Sequence, residues 1–217
     1  MIVSVWKPFR LGFIKTTSVT RGFQGSGSRR LVGFYRLWAP LYDVMMRFDP
    51  AYVRGLYRMI ECVVRDGDSA LDVGCGTGLG TVRMARVADR VVAVDSSPDM
   101  LARLRGKVGV LGLGNVEIRQ GFFPEVVSDG ECFDSVVSSF MVVHLLGNKR
   151  VRVFEAMFRC LVLGGRLGLF SAQGEVASAF FTRGEVERDL VLAGFSDVSV
   201  VDFSDIYRIV TAVKSGR

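Results

Sequence analysis

The sequence predicts an α/β protein with a doubly wound, Rossmann-like sheet of seven strands. Three observations predict this class: short apolar runs alternate with helical patterns from residue 69 onward, a glycine-rich turn follows the first run, and an acidic residue ends the second. The chain of 217 residues is long enough for one such domain with a sizeable core.

The elements follow in a regular order. Apolar residues at helical spacing predict two helices before the sheet, over about residues 31–47, with Pro40 as an interruption, and about 50–64. The rest of the chain is predicted as strand 69–74, helix 79–88, strand 90–95, helix 98–107, strand 115–119, strand 132–140, helix 148–161, strand 165–171, helix 183–193 and strands 197–203 and 207–214. We therefore expect one domain over residues 31–217, with residues 31–66 as a helical cap.

The first 30 residues carry the net charge of the chain. They hold six basic residues and no acidic one, whereas the other 22 basic residues balance all 22 acids. Residues 25–28, Gly-Ser-Gly-Ser, form a linker-like stretch behind this basic tail. Three interpretations remain open: an arm that binds anionic lipid or RNA phosphate, an organelle transit peptide, or a leader without a role.

The composition narrows the class of protein further. No uncharged stretch approaches the 18 residues that a membrane span requires. The four cysteines are scattered without a C-x-x-C pair, which predicts neither a metal site nor a disulfide framework and suits a reducing compartment. We expect a cytoplasmic protein. The alternative is a protein bound peripherally to a membrane.

The glycine-rich turn is the most informative segment. Residues 71–78 read Leu-Asp-Val-Gly-Cys-Gly-Thr-Gly, with Gly74, Gly76 and Gly78 at alternate positions. Such glycines permit a sharp turn and let a ligand touch main-chain atoms. The third glycine falls one position too early for the dinucleotide fingerprint, and no G-K-[ST] follows, so a P-loop is excluded.

Asp72 indicates which ligand fits this turn. A carboxylate just before the loop repels a pyrophosphate but attracts an ammonium group. S-adenosylmethionine carries an ammonium, a ribose and an adenine and has no phosphate, so it is the predicted cofactor. The alternative is a plain tight strand–helix turn without a ligand.

Asp95 supplies a second acid at a suitable separation. It ends the apolar run of residues 91–94 and lies 21 residues after Gly74, where the acid of a βαβ unit meets ribose hydroxyls. Ser97 and Pro98 then predict a helix start. The alternative for Asp95 is a solvated loop acid.

These residues resemble the class I S-adenosylmethionine-dependent methyltransferases of the type 11 and ubiquinone/menaquinone-biosynthesis kind. The resemblance extends from about Leu37 to the C-terminus and rests on five ordered segments: residues 71–78, 91–101, 133–145, 159–167 and 193–195. It implies that the last strand is antiparallel and that the protein transfers a methyl group from S-adenosylmethionine.

The resemblance also implies a set of cofactor-binding residues: Asp72, Gly74, Cys75, Gly76, Thr77, Gly78, Asp95, Ser96, Met100, Gly121, Phe122 and Ser138. One position departs from the family, because Phe122 stands where an acid usually contacts the adenine amino group. Phe122 is expected either to stack on the adenine, with Gln120 or a backbone group taking the hydrogen bond, or to pack in the core.

The acceptor side is less well specified. Methyl transfer from a sulfonium needs mainly alignment and exclusion of water, with a base only when the acceptor must lose a proton. His144, the sole histidine, follows the fourth strand and is the candidate base, with a structural role as the alternative. Tyr42, in a lead-in similar to that of ubiquinone-type enzymes, and Phe140 are the candidate acceptor-pocket residues; a plain amphipathic helix is the alternative for the lead-in.

Three functions remain open at this point. The first is methyl transfer to a small-molecule, lipid or quinone-like acceptor. The second is an RNA or protein methyltransferase that docks through the basic tail, although the end of the fourth strand has neither the Asp/Asn-Pro-Pro-aromatic nor the Pro-Cys pattern of two nucleic-acid classes. The third is a cofactor-binding subunit without catalysis. The sequence makes no prediction about oligomeric state.

Overall fold

A computed structural model describes residues 49–145, 147–173 and 180–216 of the chain. The basic tail (1–30), the helix predicted over 31–47 and Tyr42 lie outside these residues. The domain assignment of residues 31–217 therefore stays a prediction for its first part.

A seven-stranded mixed sheet forms the centre of the fold. Its strands are β1 (Ser69–Val73), β2 (Arg90–Asp95), β3 (Val116–Gln120), β4 (Phe133–Ser139), β5 (Leu161–Ala172), β6 (Ser196–Asp202) and β7 (Tyr207–Val213). They lie in the order β3-β2-β1-β4-β5-β7-β6. The first five strands are parallel to one another, and β7 is antiparallel to both β5 and β6. The predicted fold and its antiparallel last strand are confirmed.

Five helices accompany the sheet within the described residues: α1 (Pro50–Val63), α2 (Leu79–Met84), α3 (Pro98–Leu111), α4 (Asn148–Arg159) and α5 (Arg183–Leu192). A short 3-10 helix covers Val142–His144. In this part of the chain, no helix has both the length and the apolar character to cross a bilayer.

One strand and two helices have ends that differ from the prediction. Strand β5 begins at Leu161, which pairs with Phe133, rather than near residue 165. Helix α2 stops at Met84 rather than near residue 88, because the Asn115 amide donates hydrogen bonds of 2.9 Å to the carbonyls of Ala85 and Ala88 and holds them in a turn. Helix α3 continues past residue 107 and ends where Gly112 adopts a left-handed conformation, with φ of 63°.

The order of the strands fixes where a ligand can bind. The chain passes from β1 to β2 on one side, whereas β4 lies on the other side of β1. In open α/β sheets, ligands bind at the carboxyl ends of the strands where the order reverses in this way. The turn after β1 therefore lies at the expected binding position.

The start of α1 is fixed at the same edge of the sheet. Asp49 caps the helix by accepting hydrogen bonds of 3.1 Å from the backbone N–H groups of Ala51 and Tyr52. Its other carboxylate oxygen accepts a 2.6 Å bond from the hydroxyl of Tyr207 on β7. This contact places the first turn of α1, which includes Tyr52, over the carboxyl edge.

A buried ion pair joins α4 to α5. Arg150 Nε donates a 2.7 Å hydrogen bond to Asp189, and both side chains are almost fully buried. Removal of one member of such a pair leaves a buried charge without compensation.

We predict that Asp189→Ala lowers the free energy of unfolding by about 3–5 kcal/mol, as measured by urea denaturation. Glu187→Ala is the matched control on the same helix, because the Glu187–Arg183 pair is exposed and its atoms lie 3.8 Å apart. This variant should lower the free energy of unfolding by less than about 0.5 kcal/mol. Similar losses for the two variants would contradict the prediction.

Candidate functional site

The glycine-rich turn adopts the conformation that its sequence predicts. Gly74, Gly76 and Gly78 have φ values of 75°, 54° and 85°, in the region that favours glycine. The backbone N–H groups of Gly74 and Cys75 donate to the Val94 carbonyl at 2.8 and 3.0 Å, which ties the turn to the end of β2.

The first two glycines have different surroundings. A Cβ at Gly74 would lie 2.5 Å from the Cβ of Met141, whereas a Cβ at Gly76 would meet nothing within 4 Å. Gly74 is therefore required by packing against the segment after β4. Gly76 instead presents bare backbone to open space, as a ligand cradle requires.

Asp72 lies buried at the end of β1, directly under this turn. Its Oδ2 accepts a 2.6 Å hydrogen bond from the hydroxyl of Thr81, which is itself fully buried. Burial raises the pKa of Asp72 to about 6; the Thr81 hydroxyl lowers the pKa, and the nearby charge of Asp95 raises it. Asp72 is thus a carboxylate that gains from a cationic partner.

Asp95 supports the turn from the end of β2. Its Oδ2 accepts a 2.9 Å bond from the Gly76 N–H, and its Oδ1 accepts a 2.8 Å bond from the Ser97 N–H. Burial raises the pKa of Asp95 above its ordinary value, and the bonds from these backbone groups act in the opposite direction. The backbone of Ser96 also hydrogen-bonds to Asp95, and the three backbone groups leave part of the carboxylate's acceptor capacity for a further donor.

A cavity lies over the turn, between the carboxyl ends of β1 and β4 and the helices α1 and α2. Its lining consists of Tyr52, Leu56, Asp72, Gly74, Cys75, Gly76, Thr77, Leu79, Gly80, Val137 and Ser139. The Tyr52 hydroxyl and Ser139 Oγ lie 3.1 Å apart and bridge α1 to β4 on this wall. Within the described part of the chain, this lining contains a carboxylate and no lysine or arginine, so it suits a cation better than a phosphate.

Most of the predicted cofactor-binding residues come together here. Asp72 and the segment from Gly74 to Thr77 line the cavity, while Gly78 ends the turn and Asp95 holds it. The Ser138 hydroxyl donates to the Val73 carbonyl at 2.9 Å, so Ser139 rather than Ser138 lines the cavity. Burial raises the pKa of the Cys75 thiol well above its usual range, which fits a packing role rather than a nucleophile.

The remaining predicted residues lie in the segments that follow the carboxyl ends of β2 and β3. Ser96 follows Asp95, and Met100 is buried in the first turn of α3. Gly121 donates its N–H to the Asp95 carbonyl at 3.0 Å, and Phe122 beside it is 50 % exposed. The Phe122 ring thus lies at the surface and does not pack in the core. Whether it meets adenine stays a prediction.

Aromatic rings form the edge of the site beyond β4. Phe140 has a φ of 58°, which is unusual for a bulky residue, and its N–H donates to the Phe170 carbonyl at 2.9 Å. Its ring packs against Tyr52, Phe170, Phe180 and Tyr207 at centroid distances of 5.6–6.0 Å. His144 ends the 3-10 helix, and its side chain lies outside what the structure describes.

Three contributors were missed by sequence reasoning. Thr81 contacts Asp72, Tyr52 lines the cavity, and Lys107 Nζ donates to the Thr77 carbonyl at 2.9 Å. A hydroxyl in the first turn of the helix after an acid-plus-glycine turn was the available signal for Thr81. Tyr52 and Lys107 carried none, because their contacts join segments 30 or more residues apart.

The comparison with protein families agrees with this geometry. A family described as "Methyltransferase domain" matches residues 70–165, which contain the glycine turn and both acids. Residues 70–165 thus match a methyltransferase domain, and the fold is similar to that of class I S-adenosylmethionine-dependent methyltransferases.

Individual relatives show how far the likeness extends. The chain is 39% identical over 110 residues to a phosphatidylethanolamine N-methyltransferase of Cereibacter sphaeroides, covering 50% of this chain and 52% of the relative. It is 29% identical over 152 residues to a demethylmenaquinone methyltransferase of Bacillus cytotoxicus, covering 66% and 62%. The chain thus spans between half and two thirds of the length of these curated relatives.

A solved structure is similar to a larger part of the chain than the family match is. The structure titled "DhpI-SAH complex structure" superposes with a TM-score of 0.71 and 25% identity, covering 86% of this chain and 96% of the other. Its likeness extends well beyond the 96 residues of the family match, from 70 to 165.

We predict that Gly74→Ala destabilises the protein more than Gly76→Ala. Both substitutions place a Cβ on a residue with left-handed backbone, which destabilises the protein by about 1–2 kcal/mol. Only Gly74→Ala adds a clash with Met141, which destabilises it by about 1–3 kcal/mol more. Urea denaturation measures both losses. Equal losses would show that Met141 does not restrict the turn.

Proposed function

We propose that the protein is an S-adenosylmethionine-dependent methyltransferase that acts on a small-molecule, lipid or quinone-like acceptor. One observation carries the proposal: a buried carboxylate lies under a glycine turn, in a cavity whose described lining holds no cationic side chain. The methyltransferase domain of residues 70–165 supports the same choice of ligand.

The residues of the turn fit the parts of the cofactor. Asp72 would pair with the ammonium of the amino-acid end, and the bare backbone at Gly76 would allow the ligand to lie close to the turn. Asp95 would accept a hydrogen bond from the ribose hydroxyls with the acceptor capacity that its backbone partners leave open. The bound cofactor supplies a methyl group that its sulfonium charge activates for displacement.

The acceptor would approach from the carboxyl end of β4. Phe140 sits there in a left-handed conformation, a backbone cost that is often kept at functional sites. Its ring and the Tyr52–Ser139 hydroxyl pair would give this edge an apolar wall with one polar point. Such an edge supports an acceptor with an apolar body, as in a lipid or a quinone. Tyr42 as a further wall residue and His144 as a base stay proposals.

We predict that the protein binds S-adenosylmethionine and S-adenosylhomocysteine in calorimetry and shows no heat with NAD. Asp72→Asn and Asp95→Asn should each weaken binding by about 10–100-fold, because a hydrogen bond to a charged group contributes about 1.5–3 kcal/mol. Asp89→Asn is the charge-matched control, because Asp89 is exposed before β2, at the opposite edge of the sheet. Binding of NAD in place of the sulfonium donor would overturn the proposal.

The charge of residues 1–30 favours a second candidate, an RNA or protein methyltransferase that docks through its basic tail, with no acid to offset its six basic residues. The same charge would also suit an anionic membrane surface that presents a lipid acceptor. Both alternatives leave the donor site unchanged and differ in the acceptor.

Labelled methyl donor added to a cell extract distinguishes these candidates. We predict label in the small-molecule or lipid fraction, and an undiminished donor affinity when the six tail residues, Lys7, Arg10, Lys15, Arg21, Arg29 and Arg30, are changed to Gln. Label found only in RNA or protein, and lost in a salt-dependent way with the neutral tail, would favour the second candidate instead.

A further inference from the structure

The hydrogen bond between Thr81 and Asp72 closes the glycine turn. Asp72 is the next-to-last residue of β1 and Thr81 lies in the first turn of α2, so the 2.6 Å bond spans the turn between them. Both side chains are buried, and the pair has little contact with bulk water. The bond engages Oδ2 of Asp72, which makes the two carboxylate oxygens inequivalent.

The groups around Asp72 otherwise favour its neutral form. Burial is the largest effect on its pKa, and the carboxylate of Asp95 on β2 adds repulsion. The neighbouring Cys75 thiol stays protonated because burial raises its pKa as well. The strand β4 presents Val137 beside Asp72, and α1 presents Leu56 and Tyr52 to the same cavity. Thr81, through its hydroxyl and its backbone N–H, is the group that lowers the pKa of Asp72.

Resting on the function proposed above, we propose that Thr81 is a positioning residue for the donor's ammonium group. Its hydroxyl holds Oδ2 of Asp72, directs Oδ1 toward the cavity and keeps the carboxylate charged near neutral pH. Thr81 itself does not line the cavity and acts only through Asp72.

The sign of the pH effect follows from the ionisation of Asp72. As the pH falls through about 6, Asp72 takes up a proton and loses its attraction for an ammonium, so donor binding should weaken toward tenfold per pH unit. Loss of the Thr81 hydroxyl raises the pKa of Asp72 further and moves this loss of affinity to higher pH. The defect of a Thr81 variant should therefore be large in acid and small near pH 8.

The experiment compares the wild type with Thr81→Val, which keeps the backbone N–H and removes only the hydroxyl. Calorimetry with S-adenosylhomocysteine from pH 5.5 to 8 gives the ratio of the two affinities at each pH, in which ionisation of the ligand cancels. For a rise of one pKa unit, we expect about fivefold weaker binding for Thr81→Val at pH 6, a larger defect at pH 5.5 and a ratio near one at pH 8.

Two further variants test the assignment of this effect to the hydroxyl. Thr81→Ser restores the hydroxyl and should follow the wild type at every pH. Thr211→Val, the matched control on β7, makes the same chemical change in a strand that lies beyond β4 and β5 from the turn and should also follow the wild type. Equal affinity of Thr81→Val and the wild type at every pH, or a defect that is the same at every pH, overturns the proposal.

A second measurement needs no ligand. The ¹³C carboxyl resonance of Asp72, assigned with Asp72→Asn, gives its titration midpoint, which should rise by about one unit in Thr81→Val. An unchanged midpoint overturns the proposal. If Thr81→Val does not fold, Thr81→Cys, whose thiol is a weaker donor, must raise the midpoint in the same direction. If the wild type binds no donor, the proposed function is wrong. The titration midpoint of Asp72 in the two proteins still shows whether Thr81 controls the ionisation of Asp72.

Discussion

The buried carboxylate of Asp72 is the constraint on which the site depends. A charge in this position is unfavourable unless hydrogen bonds and a cation compensate it, and Thr81 supplies the first of these. The second carboxylate, Asp95, increases the repulsion but is held by backbone N–H groups. Asp72 lines the cavity beneath the glycine turn and Asp95 supports the turn from β2, and on the proposal above a cationic ligand would compensate their charge.

The donor half of the site could be predicted from the sequence because it is encoded locally. The glycine spacing, the acid before it and the acid 21 residues later all lie within one βαβ unit, and the strand pattern placed that unit correctly. The ends of α2 and α3 could not be predicted in this way. The end of α2 depends on the side chain of Asn115, which lies far along the chain. The end of α3 lies beyond glycines that the helix tolerates.

The proposed acceptor half is assembled from distant segments, and local patterns do not reveal it. Tyr52 meets Ser139 across 87 residues, and Tyr207 meets Asp49 across 158. The unusual backbone of Phe140 likewise depends on its contact with Phe170 on the next strand. The family match over residues 70–165 leaves out α1 and β7, so it describes the donor half more fully than the acceptor half.

A crystal structure of the protein with S-adenosylhomocysteine bound would test the central claim most directly. We expect the ligand's ammonium within hydrogen-bonding distance of Asp72 Oδ1, about 2.7–3.2 Å, and its ribose hydroxyls on Asp95. A ligand whose amine points away from Asp72, with its ribose away from Asp95, would contradict the role proposed for the two acids.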